Sequence, residues 1–135
     1  MTQTASHSRT ESVFDTFPWP QSPTAAQVDA VAAAGREIRR IRTAALHHAR
    51  GGLRALYRTL ELPGRNELQT AHAALDAATL AAYHFDPHAD LLAQLLKLNL
   101  NVAIQLDAGQ PATPPGVPPD YPDPQRLVSG DCIAP

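Results

Sequence analysis

TAAQVDAVAAAGREIRRIRTAALHHA, residues 24–49, is the stretch that decides the fold. Thr24 and Gln27 match a capping box, in which two side chains satisfy the free backbone N–H groups at the start of a helix. The apolar residues that follow recur at steps of three and four, the period of one helix face. They are Val31, Ala34, Ile38, Ile41 and Ala45. The stretch therefore predicts a long amphipathic helix from about Thr24 to Ala49.

Two shorter helices are predicted after it. A Gly-Gly pair at residues 51–52 separates the first helix from a second one of about two turns, which a Pro-Gly pair at residues 63–64 ends. Asn66 can then cap a third helix, which carries its own apolar stripe and ends near Tyr83.

A fourth helix is predicted to open at Asp86, with Pro87 at its first helical position, and to close at Gly109. Its apolar residues form the widest stripe in the chain. They are Leu91, Leu92, Leu95, Leu96, Leu98, Val102 and Leu106. Because so broad a stripe needs neighbours on several sides, we expect this helix to be the central one.

The composition supports an all-helical fold. Hydrophobic residues make up 44% of the chain but aromatic residues only 5%, and Ala and Leu favour helix over strand. Short connections make neighbouring helices antiparallel, so we expect a small three- to four-helix bundle over residues 24–109. Residues 1–23 are expected to be a disordered or extended docking segment. Residues 110–135 hold eight of the thirteen prolines and are expected to form a proline-rich surface tail.

The docking segment contains the string VFDTFPWPQ, residues 13–21. Its prolines exclude a helix there and stiffen the backbone. Two phenylalanines and the only tryptophan of the chain lie among these prolines. We therefore expect Phe14, Phe17 and Trp19 to anchor the segment to a neighbouring domain or partner.

Positive charge is concentrated in one part of a chain whose formal net charge is only −2. Residues 36–65 contain eight of the eleven Lys and Arg residues and only two acidic ones, which gives a formal charge of +6. Plotted at 100° per residue, several arginines face away from the apolar stripes, where phosphate could reach them. These candidate ligands of a phosphate backbone are Arg36, Arg39, Arg40, Arg54 and Arg58. An ordinary solvated helix face is the alternative interpretation.

The sequence contains no complete catalytic site. No glycine-rich turn follows a strand to hold S-adenosylmethionine, so we expect no cofactor in this chain. The only lysine, Lys97, lies within a leucine-rich helix, which argues against a nuclease. Pro87 separates His84 from His88, so no metal site is expected.

The sequence predicts a cytoplasmic location. The single cysteine, Cys132, excludes an internal disulfide and is typical of a reducing compartment. No apolar run is long enough for a signal peptide or a membrane span, so no membrane partner is expected.

Four blocks, in this order, carry a family resemblance from about residue 13 onward. They are VFDTFPWPQ (13–21), LRALYRTLELPGRNELQTAHAALDAATLAAY (53–83), DLLAQLLKLNLNVA (90–103) and LVSGDCIAP (127–135). The chain resembles the C-terminal end of large type II adenine-specific DNA methyltransferases, including restriction-modification enzymes. In that family the phenylalanine and proline block closes the target-recognition domain, and a helical C-terminal domain follows it.

The resemblance implies a DNA-binding scaffold without catalytic activity of its own. The family's cofactor loop, its Asn-Pro-Pro-aromatic motif and its base-reading residues all precede the first block, and no position here matches them. The expected partners are therefore DNA, through its backbone, and the methyltransferase and target-recognition domains of a parent enzyme. The first twelve residues suggest a split gene, a truncated gene or a miscalled start. Two alternatives are a stand-alone helical module that binds a protein, and a gene remnant without function.

Overall fold

The computed structural model describes residues 17–48, 50–130 and 132. The part of the chain that it describes is helical and contains no strand, which confirms the predicted fold class. Four α-helices follow one another, and a 3-10 turn extends the second. They are α1 (Ala25–His48), α2 (Gly52–Arg58, continued by the turn Thr59–Glu61), α3 (Glu67–Ala82) and α4 (Leu91–Asp107).

The capping box predicted at the start of α1 is confirmed. The Gln27 backbone N–H donates to the Thr24 Oγ1 at 3.2 Å, and the Thr24 N–H donates to the Gln27 Oε1 at 2.9 Å. The Gln27 Nε2 also donates to the Ala81 carbonyl at 2.9 Å. Since Ala81 lies in the last turn of α3, this bond joins the start of one helix to the end of the other. The two helices are therefore antiparallel.

The core lies between α1 and α3. Ile38 and Ile41 of α1 pack with Leu68 and Ala71 of α3, and all four side chains are buried. Four partly buried side chains pack against this cluster. They are Leu56, Tyr57, Leu60 and Leu75.

The turn between α1 and α2 requires glycine. Gly51 has a φ of 113°, in the left-handed region, and a Cβ at this position would lie 2.9 Å from the Ala55 Cβ. A side chain there would therefore be strained by its backbone and crowded by its neighbour.

Asn66 caps α3 as the sequence predicts, and it also holds the preceding turn. Its Oδ1 accepts from the Leu68 N–H at 2.9 Å and from the Gln69 N–H at 3.4 Å. Its Nδ2 donates to the Thr59 carbonyl at 3.2 Å. One side chain thus fixes the start of α3 against the end of α2.

The predicted start of α4 is wrong by about one turn. The helix begins at Leu91 with Asp90 as its cap, whose carboxylate accepts from the Ala93 N–H at 2.9 Å. Asp86 instead caps an isolated turn, in which its Oδ1 accepts from the His88 N–H at 2.9 Å. Both sites carry an aspartate, and the local signal for a helix start could not decide between them.

The expectation that α4 is the central helix is also wrong. None of its residues is buried, and Leu92 has 76% of its surface exposed. Among the described residues it has no extensive contact with another helix, whereas α1 and α3 pack along their length. The cluster of Ile38, Ile41, Leu68 and Ala71 is complete without it.

We expect the Leu68→Ala substitution to lower the free energy of unfolding by about 2–5 kcal/mol, because it empties the most deeply buried position of the core. Leu62→Ala is the matched control, since Leu62 lies outside the α-helices with 64% of its surface exposed, and its cost should stay within about 0.5 kcal/mol. Urea unfolding followed by circular dichroism measures both. Equal losses would contradict the assignment of the core.

Candidate nucleic-acid interface

The side of α1 that faces away from the core carries a shallow basic groove. Because Ile38 and Ile41 point into the core, the residues half a turn away from them point outward. The groove is lined by Arg36, Arg39, Arg40, Thr43, Ala44 and His47. Every one of these six residues is exposed. We call this surface the basic groove.

One arginine of the basic groove is held by a neighbouring carboxylate. The Arg40 Nε donates to the Glu37 Oε2 at 2.8 Å, and the Arg40 Nη2 donates to the Glu37 Oε1 at 2.7 Å. This two-bond pairing lowers the pKa of Glu37 and raises that of Arg40. Both side chains are about half exposed or more, at 48% and 63%, so water screens the pair strongly. Glu37 therefore competes with any anion for Arg40.

The other two candidate arginines lie on α2. Arg54 and Arg58 are exposed, but the lining of the basic groove comes from α1 alone. The structure thus brings together three of the five arginines that the sequence singles out, and it leaves Arg54 and Arg58 on the neighbouring helix.

A fourth arginine of α1 has a structural role that the sequence analysis missed. The Arg42 guanidinium lies over the Tyr57 ring, 5.8 Å from its centroid, which is within the range of a cation–π contact. The Tyr57 hydroxyl in turn forms a 3.1 Å hydrogen bond with the His72 Nε2. This chain of contacts joins α1, α2 and α3 beside the core and turns Arg42 away from the basic groove.

The residues of the predicted docking anchor differ in how exposed they are. Phe14 lies outside the described residues, and Phe17 has 39% of its surface exposed. Trp19 is half-buried, and its ring centroid lies 5.1 Å from that of Phe17. The intervening Pro18 is buried, and its carbonyl accepts from the Tyr83 hydroxyl at 3.1 Å. Part of the predicted anchor therefore packs against the end of α3 in the same chain.

The proline-rich segment after α4 returns to the start of α1. The Thr113 N–H donates to the Gln21 Oε1 at 2.9 Å, which ties the tail to the N-terminal segment. Further along, the buried Tyr121 donates from its hydroxyl to the Asp29 Oδ1 at 2.5 Å. Arg126 lies 3.9 Å from the other oxygen of the same carboxylate. The tail is thus bound at Thr113 to the N-terminal segment and at Tyr121 to α1.

An apolar cavity of about 320 Å³ lies where the tail crosses α1. Its lining includes Trp19, Val28 and Val31 of α1, and Val117 of the tail. The N-terminal segment, α1 and the tail therefore all contribute to the cavity. The indole of Trp19 therefore reports on whether the tail is docked.

No cluster of three or more His, Cys, Asp or Glu side chains that could hold a metal ion is found among residues 17–48, 50–130 and 132. His84 adopts a left-handed backbone conformation with a φ of 56°, and its ring Nε2 lies 3.2 Å from the Ser22 carbonyl oxygen. It therefore contacts the N-terminal segment. Within the same described residues, no helix is both long and apolar enough to cross a membrane.

Comparisons of the chain with protein-family models, with curated proteins and with solved structures found no match. The geometry of the basic groove and the family resemblance of the sequence are therefore the two grounds on which a function can be proposed.

Replacing Tyr121 with Phe removes the hydroxyl that binds Asp29, so we expect the tail to undock more often and the fluorescence of Trp19 to shift to longer wavelength. The same contact predicts a pH dependence for the wild type. The hydrogen bond to Asp29 and burial raise the pKa of Tyr121 above its ordinary value of about 10. A raised pKa means that this stabilisation is complete below pH 10 and is lost as the pH rises through the folded-state value. The wild-type spectrum should accordingly hold its position up to about pH 10.

Tyr57→Phe is the matched control for this measurement. It removes a hydroxyl that bonds His72, beside the core rather than at the tail, so the emission of Trp19 should not move. An unchanged spectrum in Tyr121→Phe, or an equal shift in both variants, would contradict the docking of the tail through Tyr121.

Proposed function

We propose that the chain is the C-terminal helical region of an adenine-specific DNA methyltransferase and that it contacts the DNA backbone through the basic groove of α1. The observation that carries the proposal is the exposure of Arg36, Arg39 and Arg40 on one face of a helix whose opposite face is fixed in the core. A basic groove can bind any polyanion, and we choose DNA because four sequence blocks resemble this family.

The dimensions of the basic groove are compatible with backbone binding. Arg36 and His47 are eleven residues apart, which corresponds to about 16 Å along a helix at 1.5 Å per residue. The DNA duplex rises about 3.4 Å per base pair, so the groove is as long as about four or five base pairs. Arginine suits such contacts because its planar guanidinium binds phosphate oxygens with two N–H groups at once.

Contacts of this kind position a protein on DNA but read no sequence. In this proposal the target sequence is read by the recognition domain of the parent enzyme, and S-adenosylmethionine binds in its methyltransferase domain. The chain itself contributes affinity and orientation. The segment around Phe17 and Trp19, which borders the end of α3, would join it to the recognition domain.

Binding to duplex DNA should be weak, independent of sequence and strongly dependent on salt. For three to five contacts, the logarithm of the affinity should fall with the logarithm of the salt concentration with a slope of about −3 to −5, at roughly −0.9 per phosphate. The triple variant Arg36→Gln, Arg39→Gln, Arg40→Gln should keep its helicity, because Gln is a good helix former on a solvated face. Its slope should lose about two to three units. Fluorescence anisotropy on labelled duplexes measures both.

A second triple variant with the same change in net charge serves as the control for this titration. Arg50, Arg65 and Lys97 are exposed and lie outside the basic groove, so replacing them with Gln should change the slope by less than the first variant does. Absence of wild-type binding at low salt, or equal losses in the two variants, would mean that the arginines of α1 form an ordinary solvated face.

Glu37→Gln gives a prediction of opposite sign. The substitution removes the carboxylate that holds Arg40 with two hydrogen bonds, so Arg40 becomes available to phosphate and a repulsive charge disappears. We expect tighter DNA binding, by about two- to tenfold at low salt, and a slope steeper by up to about one unit. Glu61→Gln, which changes the net charge equally in an exposed turn after α2, is the control. Equal effects of the two substitutions would contradict a role for Arg40.

A further inference from the structure

The helix α4 exposes an apolar face that no other part of residues 17–48, 50–130 and 132 covers. Leu92, Leu96, Leu100 and Ile104 have 76%, 58%, 55% and 66% of their surfaces exposed. The helix has a second apolar side, formed by Leu95, Leu98 and Val102, which is half-buried. A helix that is apolar on both sides is typical of a buried position, but one side of α4 is exposed among the residues that the structure describes.

The exposed side is continuous and almost free of charge. Plotted at 100° per residue, its apolar residues fall within a sector of about 120°. They are Leu92, Ala93, Leu96, Leu100, Ala103 and Ile104. Between Leu92 and Ile104 the only charged residue is Lys97, which falls outside this sector. We call this surface the leucine face.

The order of residues on the leucine face is symmetric about position 98. Leu92 and Ile104 lie six positions on either side, Ala93 and Ala103 lie five positions away, and Leu96 and Leu100 lie two positions away. When two identical helices run antiparallel across a twofold axis, a residue at one distance from the centre meets the residue at the same distance on the other side. Such a pairing would match every member of the leucine face with a residue of similar size.

We propose that α4 is a self-association surface, through which two copies of the chain pair antiparallel across an axis next to position 98. In this arrangement Leu96 packs against Leu100 of the partner subunit and Leu92 against Ile104 of the partner subunit. The two Ala93–Ala103 pairs let the backbones approach to about 8 Å, the short end of helix packing distances. The proposal stands apart from the DNA-binding role, because the leucine face and the basic groove are on different helices.

The area of the leucine face sets the strength of this association. A 17-residue helix is about 25 Å long and about 10 Å wide, so its footprint is on the order of 250 Å² per copy. Stable dimers bury roughly 800 Å² per partner, and smaller interfaces are weak and transient. We therefore expect a weak and reversible dimer.

Sedimentation velocity on the full chain from about 10 µM to 1 mM tests the proposal. The expected mass rises from that of the 14.5 kDa monomer towards twice that value over this range. The variant Leu96→Glu, Leu100→Glu should stay monomeric at every concentration, with helicity checked by circular dichroism. The control variant Leu62→Glu, Val128→Glu also places two charges at exposed apolar positions, but outside the leucine face, and it should associate like the wild type. A wild type that stays monomeric at 1 mM overturns the proposal.

Cross-linking tests the register without charged substitutions. In a Cys132→Ser background, Ala93→Cys and Ala103→Cys proteins are mixed and treated with a short bis-maleimide reagent. Antiparallel pairing about position 98 predicts that the mixed product forms at least several times faster than either homodimeric product. If each variant alone forms its homodimeric product faster than the mixed product forms, the pairing is parallel. That result would overturn the proposed arrangement, even if sedimentation shows a dimer.

Discussion

The packing of Ile38 and Ile41 against Leu68 and Ala71 is the interaction on which the rest of the structure depends. These four side chains join α1 and α3 into an antiparallel pair, and the bond from Gln27 to the end of α3 fixes the same alignment at the other end of the pair. In a chain of this size each such side chain is a large share of the whole core. The orientation of α1 about its own axis is therefore set by two isoleucines.

Two surfaces follow from that orientation. Because the isoleucine side of α1 is committed to α3, Arg36, Arg39 and Arg40 are turned to solvent and share one groove. Because the cluster closes with α1, α2 and α3 alone, α4 has no place in it, and most of its leucines stay exposed. The basic groove and the leucine face thus have one origin, although they suit different partners.

The parts of the fold that sequence could predict are those whose signals are local. The three-four spacing in α1, the capping box at Thr24 and the cap at Asn66 each depend on residues within one or two turns, and all three are confirmed. The place of α4 was not predictable in this way. Its stripe shows that the helix has apolar area to bury, but periodicity does not say which neighbour covers it.

In the candidate site, too, only the features with local sequence signals could be predicted. The outward direction of Arg36, Arg39 and Arg40 follows from helical periodicity, and the structure places them together. The spacing of Glu37 and Arg40 is a local signal that would have indicated their pairing. The contact of Arg42 with Tyr57 depends on how two helices cross, and the return of Tyr121 to Asp29 joins residues 92 positions apart, so neither could be predicted from local pattern.

Native-state hydrogen exchange on a dilute sample tests the central claim most directly, namely that one core between α1 and α3 supports the body while α4 lies outside it. Backbone amides around Ile38, Ile41, Leu68 and Ala71 should exchange only through global unfolding and share one free energy of opening. Amides in the middle of α4, from Leu95 to Val102, should open locally with a smaller free energy. Equal protection of α4 and the core amides in the dilute monomer would contradict the account.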